Sequence, residues 1–146
     1  MAGSTSKQGV SFRFDPRTLE RLKQRSHEVG ATQAALAERY IEEGIRADEH
    51  PGIYFREGGS GRRPTVLGTR LDVAQIIETL RQNENSIEDG AEYLDIPVEQ
   101  VETAVRYYAA YKDEVDEWIE QSGVIAERER ELWRRQQDVL APVKVR

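Results

Sequence analysis

Hydrophobic and polar positions along this chain switch from one period to another, and each switch marks an element. From Gly9 to Phe14 they alternate, with Val10, Phe12 and Phe14 on one face and Gly9, Ser11 and Arg13 on the other, the period of a strand. At Asp15 the strand stops. Asp15 is a good helix N-cap and Pro16 suits the first helical position, where its missing N–H costs nothing. Leu19, Leu22 and Val29 then share a stripe while Arg17, Arg21, Lys23 and Arg25 point elsewhere, and Gly30 closes this helix. Thr32 caps a second helix with an expected inner face of Leu36, Tyr40, Ile41 and Ile45, ended by Asp48, Pro51 and Gly52.

Residues 51–70 turn glycine-rich and basic. Two apolar runs, Ile53 to Phe55 and Thr65 to Leu67, flank Gly58-Gly59-Ser60-Gly61, which reads equally as a loose β-hairpin or a flexible linker. Helical spacing then returns three times: Val73, Ile76, Ile77 and Leu80; Ile87, Ala91 and Leu94 behind a Ser86 cap; and Val98, Val101, Val105 and Tyr108 after Pro97. Ala91, Leu94, Ile96 and Val101 have the small-then-apolar spacing of a helix-turn-helix. Beyond Tyr111 the chain is helical and heavily charged, Gly123 is expected to interrupt it, and a last helix carries Ile125, Leu132, Trp133, Val139 and Leu140 among arginines. The expected fold class is therefore mainly α. Its segments are a disordered terminus over residues 1–8, a strand-helix-helix unit over 9–50, the hairpin or linker over 51–70, a three-helix helix-turn-helix-like domain over 71–122, and a charged helix or tail over 123–146.

Charge decides between uses of these elements. The net charge is −6, but residues 1–30 and 51–70 each carry +3 while residues 71–122 carry −11. Local sign governs where a polyanion docks, because exposed charges are screened beyond about 8 Å at physiological salt. The outward side of the third helix of the acidic block, Glu99, Gln100, Glu102, Thr103 and Arg106, is therefore a poor DNA reader, and this block reads as a protein-binding or dimer-packing module.

A lone six-residue strand leaves its donors and acceptors unpaired, and two short helices bury little. A second copy answers both needs. Antiparallel pairing of two such strands covers Val10, Phe12 and Phe14, together with Leu36 and Tyr40, and leaves Gly9, Ser11 and Arg13 of each chain on a two-stranded ribbon suited to the DNA major groove. Thr32 and Gln33, at the start of the second helix, are placed for phosphate. The alternative is a piece of ordinary core with Arg13 merely solvated. VSFRFDP, the helix-closing Gly30 and the Thr32 cap resemble the ribbon-helix-helix family of dimeric repressors over about 40 residues. Gly9 departs from the polar base-reading side chain often found there, and Ala34-Ala35 from Ser-Glu.

The stretch from Arg63 to Tyr111 resembles the bacterial family called domain of unknown function 433, through Arg63-Pro64, the Gly68-Thr69-Arg70 turn, the Val73 to Leu80 helix, Ser86-Ile87 and the Val98 to Tyr108 helix. That resemblance implies an antitoxin encoded beside a PIN-like ribonuclease toxin. The charged end carries Arg128, Arg130, Trp133, Arg134 and Arg135, residue types common at interface hot spots, and these are the candidate toxin-binding residues. A helix that only packs on its dimer mate is the alternative.

Catalytic chemistry has little to stand on. Cysteine is absent, and His27 and His50 lie on different elements without ligand spacing. Ser26 and His27 are neighbours on a helix and cannot face each other. Asp113, Asp116, Glu117 and Glu120 line one helix face, expected to be solvated. Gly-Gly-Ser-Gly lacks the lysine and helix of a phosphate cradle. No catalytic residue, metal or cofactor is expected, nor a signal peptide or membrane span, so the expectation is a cytoplasmic protein. The sequence thus points to a homodimeric antitoxin that binds operator DNA and a PIN-like toxin. The alternative is a stand-alone repressor whose acidic block senses a ligand or dimerises.

Overall fold

The computed structural model describes residues 6–59 and 61–142. Of the expected disordered terminus, residues 1–5 lie outside the described residues, as do Ser60 of the glycine loop and residues 143–146 of the tail. The chain divides into two compact units, residues 1–44 and 45–146.

In the first unit, α1 spans Pro16–Val29. The Asp15 side chain accepts from the N–H of Arg17 at 2.8 Å, and Gly30 takes the left-handed conformation, φ 67°. Helix α2 spans Gln33–Glu49, and Thr32 Oγ1 accepts from the N–H of Ala35 at 3.1 Å. Both starts and the stop between them follow from residue chemistry alone.

The interior of this unit differs from the expected stripe. Leu19 and Leu22 are half-buried and Val29 is exposed, while Ser26, four residues beyond Leu22, is buried. Its Oγ donates to the Lys23 carbonyl at 2.9 Å, which satisfies the hydroxyl inside the fold. Leu36, expected to wait for a second copy, is already 1% exposed in the single chain. Tyr40, Ile41 and Ile45 remain exposed. Residues 9–14 form no strand in the single chain, since a ladder needs a partner that α1 and α2 do not supply.

The second unit begins within α2, not after it. Arg46 donates to the Tyr107 hydroxyl at 2.9 Å and to Glu114 at 2.7 Å, its guanidinium lies 4.0 Å from the Tyr111 ring centre, and His50 meets the Tyr107 and Tyr111 rings edge-on. These contacts tie the last turn of α2 to the helical region around Tyr107 and Glu114 and move the expected boundary at residue 50 back to Gly44.

Residues 51–70 are a hairpin, and no linker. Strands β1 (Ile53–Gly58) and β2 (Gly61–Val66) pair antiparallel from Ile53 opposite Val66 to Gly58 opposite Gly61. Ile53, Pro64, Thr65 and Val66 are buried in the same core as α3 (Val73–Gln82), α4 (Ile87–Leu94) and α5 (Val98–Ala110). Asp72 caps α3 reciprocally with Gln75, and Ser86 caps α4. The expected inner residues of α5 need adjustment: Val101, Ala104 and Tyr107 are fully buried, and Val98, Val105 and Tyr108 flank them. The final helix, α6 (Lys112–Leu140), runs straight through Gly123. A single glycine costs a helix only about 1 kcal/mol and does not stop it when no other residue caps the end.

Candidate nucleic-acid and partner interfaces

Gly9, Ser11 and Arg13 are exposed, as the ribbon reading requires of base-reading positions, but so are their neighbours Val10 (74%), Phe12 (62%) and Phe14 (47%). The Phe12 and Phe14 rings sit 6.2 Å apart. Phe14 borders an open groove of about 650 Å³ whose floor is Leu19, Leu22, Ala37, Tyr40 and Ile41 and whose rim carries Arg21, Arg25 and Glu28. The first unit thus presents three apolar side chains and an apolar groove together, all unfilled in the single chain. Thr32 and Gln33 are exposed at the start of α2, where a helix offers free N–H groups.

The helix-turn-helix positions Ala91, Leu94, Ile96 and Val101 do line the core, Ala91 and Val101 fully. The close approach rests on Gly90, however, since a Cβ there would lie 2.4 Å from Leu80 Cδ2. On α5, Glu99, Glu102 and Arg106 face outward, but Gln100 and Thr103 do not. Gln100 Nε2 donates to the Leu67 carbonyl at 3.3 Å, and the Thr103 methyl lies 3.2 Å from where a Cβ on Gly52 would be. The hairpin end therefore covers part of the face that a DNA-reading helix would use.

Titratable groups in this unit are engaged with one another. Tyr107 is pushed up to about 12, chiefly by burial, against the hydrogen bond from Arg46 that favours its ionised form. Asp116 accepts from Lys112 at 2.7 Å, from the Tyr108 hydroxyl at 2.7 Å and from Arg81, and these bonds, that of Lys112 foremost, hold its carboxyl well below the usual range. Asp116 is thus tied into a structural cluster, unlike the solvated face expected for it. Arg63 is buried, its guanidinium 4.8 Å from the Trp118 ring centre. Periodicity marks none of Arg46, Arg63, Arg81 or Tyr107, because each is polar or off-stripe. The spacing of Arg46 and His50, one turn apart at the end of α2, is the available signal.

At the tail, Trp133 is 61% exposed, and Leu132, Val139 and Leu140 are bare as well. Three of the four candidate arginines lie in ion pairs along the same helix: Arg130 and Arg134 with Glu127, Arg134 and Arg135 with Glu131. Exposed pairs of this kind contribute about 0 to 1 kcal/mol, so a partner's carboxylates exchange for them readily. Among the described residues no group of three or more His, Asp or Glu side chains is placed to hold a metal ion, and no helix is long and apolar enough to cross a membrane.

Comparison of the chain with protein-family models, curated proteins and solved structures returned no match.

Proposed function

We propose that this chain is an antitoxin that dimerises through residues 9–14, represses its own operon by presenting the paired strands to operator DNA, and neutralises a PIN-like ribonuclease through its carboxy-terminal helix. The observation that carries the reading is the coincidence, in one small unit, of an unpaired alternating segment with Val10, Phe12 and Phe14 bare beside an open apolar groove. Covering these side chains with a second copy removes apolar area worth about 25 cal/mol per Å² from water and completes the strand ladder. Ser11 and Arg13 are then left outward, an arginine for the O6 and N7 of guanine and a serine for either groove edge.

The capped start of α2 supports the same docking, because free N–H groups near Thr32 and Gln33 suit flanking phosphates. The acidic second unit is the wrong sign for DNA and suits a protein partner. On α6, Trp133 offers an aromatic anchor and Arg128, Arg130, Arg134 and Arg135 offer bidentate donors to the carboxylates that such a ribonuclease uses to hold its metal ion.

Arg13→Ala in the full chain tests the DNA half. Operator affinity by gel shift is expected to fall by about 1 to 3 kcal/mol while the circular dichroism spectrum is unchanged; an unaltered shift removes the ribbon from the mechanism. Co-expression with the adjacent reading frame, followed by co-purification, tests the toxin half.

A further inference from the structure

The face of α6 that packs on the core through Val115, Trp118 and Ile119 does not end where the body ends. At about 100° per residue, Trp118, Ile125, Leu132 and Val139 fall on one line of the helix, and Ile119, Ala126, Trp133 and Leu140 on the line beside it. Val115 is buried in the core and Trp118 and Ile119 pack half-buried against it, whereas beyond them every described residue of α6 is exposed except the half-buried Ala126 and Glu131. The helix projects by roughly 30 Å past Ile119 with its inner stripe uncovered.

Charge is sorted around that stripe. The same geometry puts Arg128 and Arg135 along one edge, Arg130 along the other, and Glu127, Glu131 and Asp138 on the back. Glu129 is the single acid between the apolar lines. A fitting surface is therefore apolar, rimmed by carboxylates, and holds one spot that welcomes a carboxylate.

The same unit carries such a surface. A shallow groove of about 580 Å³ between α4 and the start of α5 has Ala91, Ile96 and Val98 in it and Glu88, Glu92 and Asp95 around it. Helix α5 begins in this groove after Pro97 with no side-chain cap; the Gln100 N–H turns back to the Pro97 carbonyl at 3.1 Å, which leaves the N–H groups of Val98 and Glu99 to face an anion. Apolar stripe meets apolar floor, arginine edges meet carboxylate rim, and Glu129 meets a bare helix start. Because α6 is one unbroken helix from Lys112 to Leu140, it cannot fold back onto the groove of its own chain.

We propose that the projecting half of α6 docks into the α4–α5 groove of a second copy of this chain. Reciprocal exchange gives a closed two-fold pair, and one-way docking gives an open chain of molecules. The contact is independent of the ribbon and of DNA. It also gives the acidic block a partner of opposite sign, and it shelters the apolar tail when no other protein holds it, so that a tail-binding partner must compete with the groove.

The absence of cysteine makes the test clean. Full-length Glu99→Cys, exposed in the first turn of α5 next to the groove residue Val98, and full-length Gln137→Cys, on the tail, are mixed with a bismaleimide linker. A crosslinked heterodimer is expected, its yield declining as salt is raised. Adding Arg128→Glu and Arg135→Glu to the tail chain should cut the yield about tenfold, and adding Glu88→Arg and Glu92→Arg to the groove chain should restore it. Restoration excludes a misfolded tail. A yield no higher than that of a Glu57→Cys control, or one indifferent to both charge reversals, overturns the proposal and leaves the stripe to a different protein.

Discussion

Individual side chains in this protein do work that their position in the hydrophobic pattern does not announce. Asp116 joins Lys112, Tyr108 and Arg81 into one cluster between α3, α5 and α6. Its carboxyl is held below its ordinary 3.8, so the stability it contributes is present above that value and is lost as pH falls through the folded-state range. Asp116→Asn is expected to lower the urea midpoint at pH 7 and to narrow the difference from wild type below pH 3.8, measured by circular dichroism. Tyr107 works in the opposite sense. Its hydroxyl stays protonated in the fold up to about 12, whereas it ionises near 10 when unfolded, so stability present below pH 10 declines between pH 10 and 12. Tyr107→Phe should flatten that alkaline decline. Gly90 shows a third kind of demand. A methyl group there meets Leu80, itself buried, and Gly90→Ala should cost about 1 to 3 kcal/mol by urea denaturation, the usual penalty of overfilling a packed site.

At the scale of elements, caps are legible in the sequence and lengths are not. Asp15, Gly30, Thr32 and Ser86 act as their chemistry indicates, because a cap is a contact between residues two to four apart in sequence. Gly123 points the wrong way for the same local reason: glycine weakens a helix but does not determine whether neighbours carry it on. Since Gly123 is helical and has nothing within 4 Å of its missing Cβ, Gly123→Ala should stabilise α6 by roughly 1 kcal/mol and raise the helical signal at 222 nm. A drop in helicity would show that the glycine serves a bend. The hairpin, evenly balanced against a linker by its composition, owes its place to Pro64, Thr65 and Val66 being buried where β2 meets α3 and α5, contacts with elements outside the hairpin itself.

For the whole molecule, the governing feature is how much apolar surface the single chain leaves uncovered at its two ends. Val10, Phe12 and Phe14 lie bare at one and Leu132, Trp133, Val139 and Leu140 at the other, while the middle packs around Tyr107, Ile76 and Val101. Patches of that kind mark association. Deletion of residues 123–146 is expected to abolish toxin neutralisation in a co-expression growth assay while operator retardation persists, which would separate the two ends functionally. Persistent neutralisation would return toxin binding to the body of the second unit.

The helical stretches, the caps at Asp15, Thr32 and Ser86, the closing Gly30, the alternation at residues 9–14 and the sorting of charge into a basic start and an acidic block were set by the sequence alone, since each is read from residues close together along the chain. The boundary inside α2, the burial of Ser26 and Arg63, the covering of Leu36 without a second copy, the occlusion of α5 by the hairpin end and the unbroken run of α6 were decided only in three dimensions. Each depends on which distant side chain arrives to satisfy a hydrogen bond or fill a space, and no local period encodes that arrival.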